Sequence, residues 1–163
     1  MSRLTGIVAG AVLVALFVAA AVLNAESWLM GSQASTVGLV ATLVALVAWP
    51  VHGVWVGSTH RGRAYPWQFP VVFWSAVVVL AVGGWFWVTA GPGSTVSGGI
   101  SLLGGAALFV STAPFHGLSR MADTSGSLPV VVGVSALVLA VSLLALYLAR
   151  RKGAANVPTS TTP

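Results

Sequence analysis

The chain has 163 residues, of which 57% are hydrophobic and 6% are charged, and its mean hydropathy is +0.97. A soluble domain of this size cannot bury so much apolar surface, so the composition predicts an integral membrane protein. The net charge of +5 comes from cations at the edges of apolar runs, which favours membrane topology signals over a nucleic-acid surface. Because the chain contains no cysteine, disulfides, thiolate metal sites and thiol catalysis are excluded.

The first apolar run, Leu4–Leu23, follows Arg3 and contains small residues near its end, as a secretory signal peptide does. Its apolar part is longer than an ordinary signal core, so we interpret it as a retained transmembrane helix, with cleavage as the alternative. Gly6 and Gly10, followed by alanines at the same interval, indicate a close helix contact. That contact lies either within the chain or between copies in a homo-oligomer.

Four further apolar runs are long enough to cross the hydrocarbon layer, which is roughly 30 Å thick and needs about 20 helical residues. They lack the alternating pattern of a barrel strand, and helices satisfy their own backbone in lipid. The predicted fold is therefore all-α: an integral membrane bundle of five transmembrane helices in one domain, residues 1–152, followed by a disordered tail, residues 153–163. The five predicted helices are Leu4–Leu23, Val37–Val56, Pro70–Val88, Gly99–Leu118 and Pro129–Ala149.

A four-residue motif occurs twice, each time at the C-terminal end of a predicted helix. Residues 50–53 are Pro-Val-His-Gly and residues 114–117 are Pro-Phe-His-Gly. Together with the matching Pro-Val-Val starts of the third and fifth helices, this predicts that the last four helices are a tandem duplication of a two-helix unit with parallel copies. Chance similarity between Val/Ala-rich segments is the alternative. The duplication would bring His52 and His116 to one depth.

These two histidines have two alternative interpretations, one structural and one functional. In the structural interpretation, Pro-x-His-Gly ends a helix, with the glycine left-handed and the histidine near the helix dipole. In the functional interpretation, His52 and His116 are the axial ligands of a b-type haem, and Arg61, Arg63 or Arg120 pairs with the propionates. Quinone or copper binding fits the same two imidazoles.

The positive-inside rule decides the orientation by one charge. With five crossings and the N-terminus inside, Arg3, Arg61, Arg63 and Arg120 are cytoplasmic, whereas residues 150–152 are outside. This favours the N-terminus inside, and a dual-topology antiparallel dimer is the alternative.

Aromatic residues are concentrated near the predicted helix ends. Trp49, Trp55 and Trp74 lie around the first predicted hairpin, and Trp85 and Trp87 lie at the far end of the third helix. We interpret them as interfacial belts and not as a ligand cage.

Enzyme chemistry is not predicted. The acids are Glu26 and Asp123, which fall in predicted loops on opposite sides of the membrane, so they form neither a carboxylate pair nor a triad with one histidine. A Schiff base to retinal is excluded because the single lysine, Lys152, follows the last helix. The helix interiors hold no charge, which argues against a pump for charged substrates.

We therefore predict a non-catalytic structural or accessory subunit of a larger membrane complex, such as a respiratory one, with lipid and other membrane subunits as partners. The richness in Arg over Lys and in Ala, Val and Gly favours the cytoplasmic membrane of a prokaryote. The alternatives are a bis-histidine haem b electron carrier and a channel or carrier for a small neutral solute.

Overall fold

The structure is a computed structural model that describes residues 3–59, 68–89, 98–121 and 128–155. All-α architecture is confirmed, because within these ranges the chain forms helices and their connecting turns. A 3₁₀ helix, Ala113–Arg120, directly continues the fourth α-helix. The α-helices are α1 (Arg3–Leu29), α2 (Thr36–Thr59), α3 (Gln68–Thr89), α4 (Gly98–Thr112) and α5 (Leu128–Ala155).

Four of the described helices, α1, α2, α3 and α5, are long and apolar enough to cross a membrane. The multi-pass character is thus supported, but five crossings are not confirmed. The exception is α4, whose 15 residues rise about 22 Å, less than the roughly 30 Å of a hydrocarbon core.

One end of the bundle, here called the proximal end, contains the start of α1. Gly10 of α1 packs against the ring of Phe69 at the start of α3, and Phe69 stacks on Trp49 of α2 at 5.6 Å between ring centroids. The last turns of α2 lie against the second half of α5, since a β-carbon on Gly57 would meet Ala149. The proximal end therefore holds the start of α1, the end of α2, the start of α3 and the end of α5.

The opposite end of the bundle, called the distal end, contains the start of α4 and the end of the 3₁₀ helix. Gly104 of α4 packs against Trp87 in the last turn of α3, so α4 starts distally and runs antiparallel to α3. After Thr112 the 3₁₀ helix returns, because His116 contacts Ser32 in the distal connection between α1 and α2. We call residues 98–121 the re-entrant segment, since it enters and leaves the bundle at one end.

Aromatic rings fill the centre of the bundle. Phe17 of α1 makes edge contacts with Phe73, Trp74 and Phe115, at centroid distances of 5.1, 5.9 and 5.9 Å.

Trp49 and Trp74 are 1% exposed and lie 5.4 Å apart, so the predicted interfacial position is wrong for these two tryptophans. Trp85 and Trp87, by contrast, are exposed near the distal end of α3, as expected of a belt.

The two Pro-x-His-Gly copies adopt different structures. Pro50 lies inside α2, which continues past Gly53 to Thr59, whereas Pro114 lies in the first turn of the 3₁₀ helix. Neither Gly53 nor Gly117 has a positive φ; among the described glycines Gly31 does, at 60°. The helix-ending interpretation therefore fails for the first copy, and the tandem duplication is not confirmed.

Candidate functional site

Buried polar side chains gather where α4 gives way to the 3₁₀ helix. This break falls inside the bundle, where water is absent and each backbone group needs a protein partner. Proline explains its position, because Pro114 has no N–H to donate and its ring obstructs the preceding turn. The polar side chains that are at most 8% exposed around the break are Asn24, Thr42, Ser111, Thr112, His116 and Ser119.

Asn24 and Thr42 join α1 and α2 to the break. The Asn24 Nδ2 group donates to the carbonyl of Ala20 at 2.8 Å and to Thr42 Oγ1 at 3.1 Å. Thr42 Oγ1 lies 2.7 Å from the carbonyl oxygen of Pro114 and 2.9 Å from that of Gly38. The hydroxyl can thus accept from Asn24 and donate to the carbonyl of Pro114, which ties α1 and α2 to the 3₁₀ helix.

Hydroxyls on α4 and one indole satisfy the other side of the break. Ser111 Oγ donates to the carbonyl of Ala107 at 2.7 Å, and Thr112 Oγ1 donates to that of Leu108 at 2.7 Å. Trp28 Nε1 in turn donates to Thr112 Oγ1 at 2.9 Å. The end of α4 is therefore held from within and from α1.

Three contacts fix the returning 3₁₀ helix to the connection between α1 and α2. His116 Nε2 lies 2.8 Å from the carbonyl oxygen of Ser32, so this nitrogen carries the proton and donates. Ser119 Oγ accepts from the backbone N–H of Ala34 at 2.9 Å, and Arg120 reaches the Ala34 carbonyl at 3.4 Å. We call these three contacts the distal latch.

Gly117 allows the 3₁₀ helix to approach α2 closely. A β-carbon at this position would collide with Thr42 Oγ1 and would lie 2.5 Å from the carbonyl oxygen of Gly38. Gly38 itself is similarly restricted, because a β-carbon there would collide with Oδ1 of Asn24. The polar contacts at the break therefore depend on two glycines, Gly117 against α2 and Gly38 against Asn24.

The structure does not bring His52 and His116 together. His116 contacts Ser32, which precedes the start of α2 at Thr36. The rise along α2 from Thr36 to His52 is about 24 Å, which puts the two imidazoles near opposite ends of the bundle. His52 lies beside Trp55, at 5.9 Å between ring centroids. The expected common depth is wrong, and the two rings cannot face each other across one haem.

Of the three predicted propionate partners, Arg120 is the one within the described residues. Arg120 is exposed at the distal end and belongs to the latch. Arg61 and Arg63 lie outside the described residues. Among the described side chains, no group of three His, Asp or Glu residues could hold a metal ion. Haem, quinone and copper binding stay predictions without support from this geometry.

Sequence reasoning singled out His116 but missed Asn24 as part of the polar site. Asn24 was predicted to start a loop, yet α1 continues to Leu29 and Asn24 is fully buried. The available sequence signal was a polar residue at each of two neighbouring apolar runs: Asn24 directly follows the first run, and Thr42 lies near the start of the second. Polar side chains within membrane helices commonly hydrogen bond across a helix interface.

Comparison with protein-family models, curated proteins and solved structures gave no match to this chain.

Proposed function

We propose that the protein is a non-catalytic structural or accessory subunit of a larger complex in a prokaryotic cytoplasmic membrane. One observation carries the proposal: the buried polar side chains at the break are bonded to one another and to backbone carbonyls. Asn24 bonds to Thr42, Thr42 bonds to the Pro114 carbonyl, and Trp28 bonds to Thr112, so α1 and α2 are both joined to the re-entrant segment. Groups used in this way fix a conformation and do not line a path or hold a substrate.

The outward faces of the spanning helices support association within the bilayer. Large apolar side chains are exposed on each of them, for example Ile7 on α1, Val47 on α2, Val79 on α3 and Leu137 on α5. A fixed interior with an apolar perimeter suits a subunit that packs beside other membrane helices. A respiratory complex is one assembly of this kind.

The test is whether a defined complex requires this chain. Deleting its gene should lower the yield of one membrane complex on a native gel, and the wild-type chain should restore it at a fixed stoichiometry. The purified protein should be colourless. A Soret band lost in His52→Ala or His116→Ala, or flux of a neutral solute into liposomes holding this chain alone, would replace the proposal by the haem or transport alternative.

We further infer that both termini are cytoplasmic and that the re-entrant segment dips into the membrane from the other side. Four crossings return the chain to its starting side. The sequence puts Arg61 and Arg63 between α2 and α3, whose adjoining ends are proximal, and residues 150–152 are near the proximal end of α5. Together with Arg3, these are all the Lys and Arg residues except Arg120. The positive-inside rule then favours a cytoplasmic proximal end by six cations to one.

A further inference from the structure

Positive charge is concentrated at the proximal end of α5. Arg150, Arg151 and Lys152 lie in the last turns of α5, and Arg151 and Lys152 are exposed. Of the two acidic residues of the chain, Glu26 lies near the distal end of α1, and Asp123 lies outside the described residues. Among the described residues the three cations therefore have no acidic partner.

Arg150 is the best positioned of the three to bind a ligand with a fixed geometry. It follows Ala149, which packs on Gly57 where α2 and α5 meet, and it is partly buried. Its Nη2 atom is enclosed and has no hydrogen-bond partner among the described residues. A guanidinium N–H without an acceptor is unfavourable, which favours an outward turn of the side chain towards an oxygen ligand with negative charge.

We propose that the proximal end of α5 binds the phosphate headgroups of anionic phospholipids through Arg150, Arg151 and Lys152. The end of a membrane-spanning helix lies at headgroup level, where a lipid phosphate is the nearest anion. Arginine matches phosphate with two parallel N–H groups, and lysine adds a point charge. Each basic side chain near an anionic membrane surface contributes about fivefold in affinity, so three together select strongly for anionic over zwitterionic lipid.

The inference rests on the membrane topology proposed above, but not on the accessory role. A chain without partner subunits would still bind anionic lipid, and a chain without lipid preference could still assemble into a complex. The two proposals therefore fail separately.

The test uses the full chain purified in a mild detergent and titrated with equal amounts of phosphatidylglycerol and phosphatidylcholine. Native mass spectrometry counts the bound lipids of each type. The wild-type chain should retain phosphatidylglycerol over phosphatidylcholine by tenfold or more. The variant R150Q/R151Q/K152Q should lose most of this preference, and the matched control Arg120→Gln, which removes a cation at the distal end, should keep it.

Further arms separate the sources of negative charge. Glycerol 1-phosphate should not displace the bound lipid at equal concentration; displacement would identify a site for a free phosphate and overturn the lipid assignment. The wild-type chain could instead bind an acidic peptide and show no lipid preference, while the triple variant does not bind the peptide. That result would show a protein partner and overturn the lipid assignment. If circular dichroism shows that the triple variant is misfolded, Arg151→Gln alone, at an exposed position, should lower the preference about fivefold. An unchanged preference in a folded variant refutes the proposal.

Discussion

Thr42, in the second turn of α2, donates a hydrogen bond of 2.7 Å to the carbonyl oxygen of Pro114, just beyond the end of α4. Pro114 is buried, so this hydrogen bond replaces one that its carbonyl would make with water in the unfolded chain. The Thr42 hydroxyl thus ties α2 to the re-entrant segment.

Replacing Thr42 with valine keeps the shape of the side chain and removes its hydroxyl. We expect the free energy of unfolding to fall by about 1 kcal/mol, because the hydrogen bonds of Thr42 with the Pro114 carbonyl and with Asn24 Nδ2 are lost. Equilibrium unfolding in mixed detergent micelles, followed by tryptophan fluorescence, measures the change.

Thr89→Val is the matched control. The Thr89 hydroxyl is exposed and bonds within α3, to the carbonyls of Trp85 and Phe86. Its loss should change the stability by less than about 0.5 kcal/mol. Equal effects of the two variants would show that Thr42 does not support the break.

Glycine-to-alanine substitutions should have opposite signs at two positions. Gly117→Ala puts a β-carbon against Thr42 Oγ1 and the Gly38 carbonyl, and we expect it to lower the free energy of unfolding by about 1–3 kcal/mol. Gly133→Ala, on α5, meets nothing within 4 Å and should raise it by about 0.5–1 kcal/mol through helix propensity. The same unfolding measurement applies, and a neutral Gly117→Ala would contradict the close approach of the 3₁₀ helix to α2.

The long helices could be predicted from the sequence because spanning a bilayer requires little more than apolar length. The end of α1 was missed, since Asn24 and Glu26 resemble the start of a loop; Asn24 is buried because its partners come from α2. The buried position of Trp74 was also missed, although the pattern was present: the buried residues of α3 are Trp74, Val77, Ala81 and Gly84, which share one helix face.

The different structures of the two Pro-x-His-Gly copies could not be predicted from their local sequence. Proline weakens a helix in both copies, but apolar residues continue after Gly53 as far as Val56, whereas Ser119 and Arg120 follow soon after Gly117. What separates the two structures is tertiary: α5 packs beside Gly53, while the connection before α2 binds His116 and Ser119. Similarity of four residues was therefore a poor guide to depth, and the haem hypothesis depended on that depth.

The distal latch should be visible in hydrogen exchange. Ser119→Ala removes the acceptor of the Ala34 N–H, and we expect exchange at that amide to become about 5–10-fold faster in detergent-purified protein. Ser58→Ala is the control, because the Ser58 hydroxyl is exposed and bonds to the Trp55 carbonyl in its own helix. Unchanged exchange at Ala34 would mean that the latch is open in solution.

The topology can be tested with single cysteines, since the chain has none of its own. With both termini cytoplasmic, Glu26→Cys and Arg120→Cys should react with a membrane-impermeant maleimide applied to intact cells, and Arg151→Cys should react only after permeabilisation. Five crossings with the N-terminus inside would instead expose position 151 and protect position 120. The two arrangements therefore give opposite labelling at positions 120 and 151, and Glu26→Cys, which is outside in both, serves as the positive control.

The contacts that hold the re-entrant segment have a further consequence for biosynthesis. Ser32, Ala34, Gly38 and Thr42 all precede residues 113–120 in the chain, so the ribosome delivers this binding surface before the segment that docks on it. The pair α1 and α2 can thus serve as a template on which the re-entrant segment folds. The last helix, α5, is synthesised afterwards and packs against helices that are already assembled.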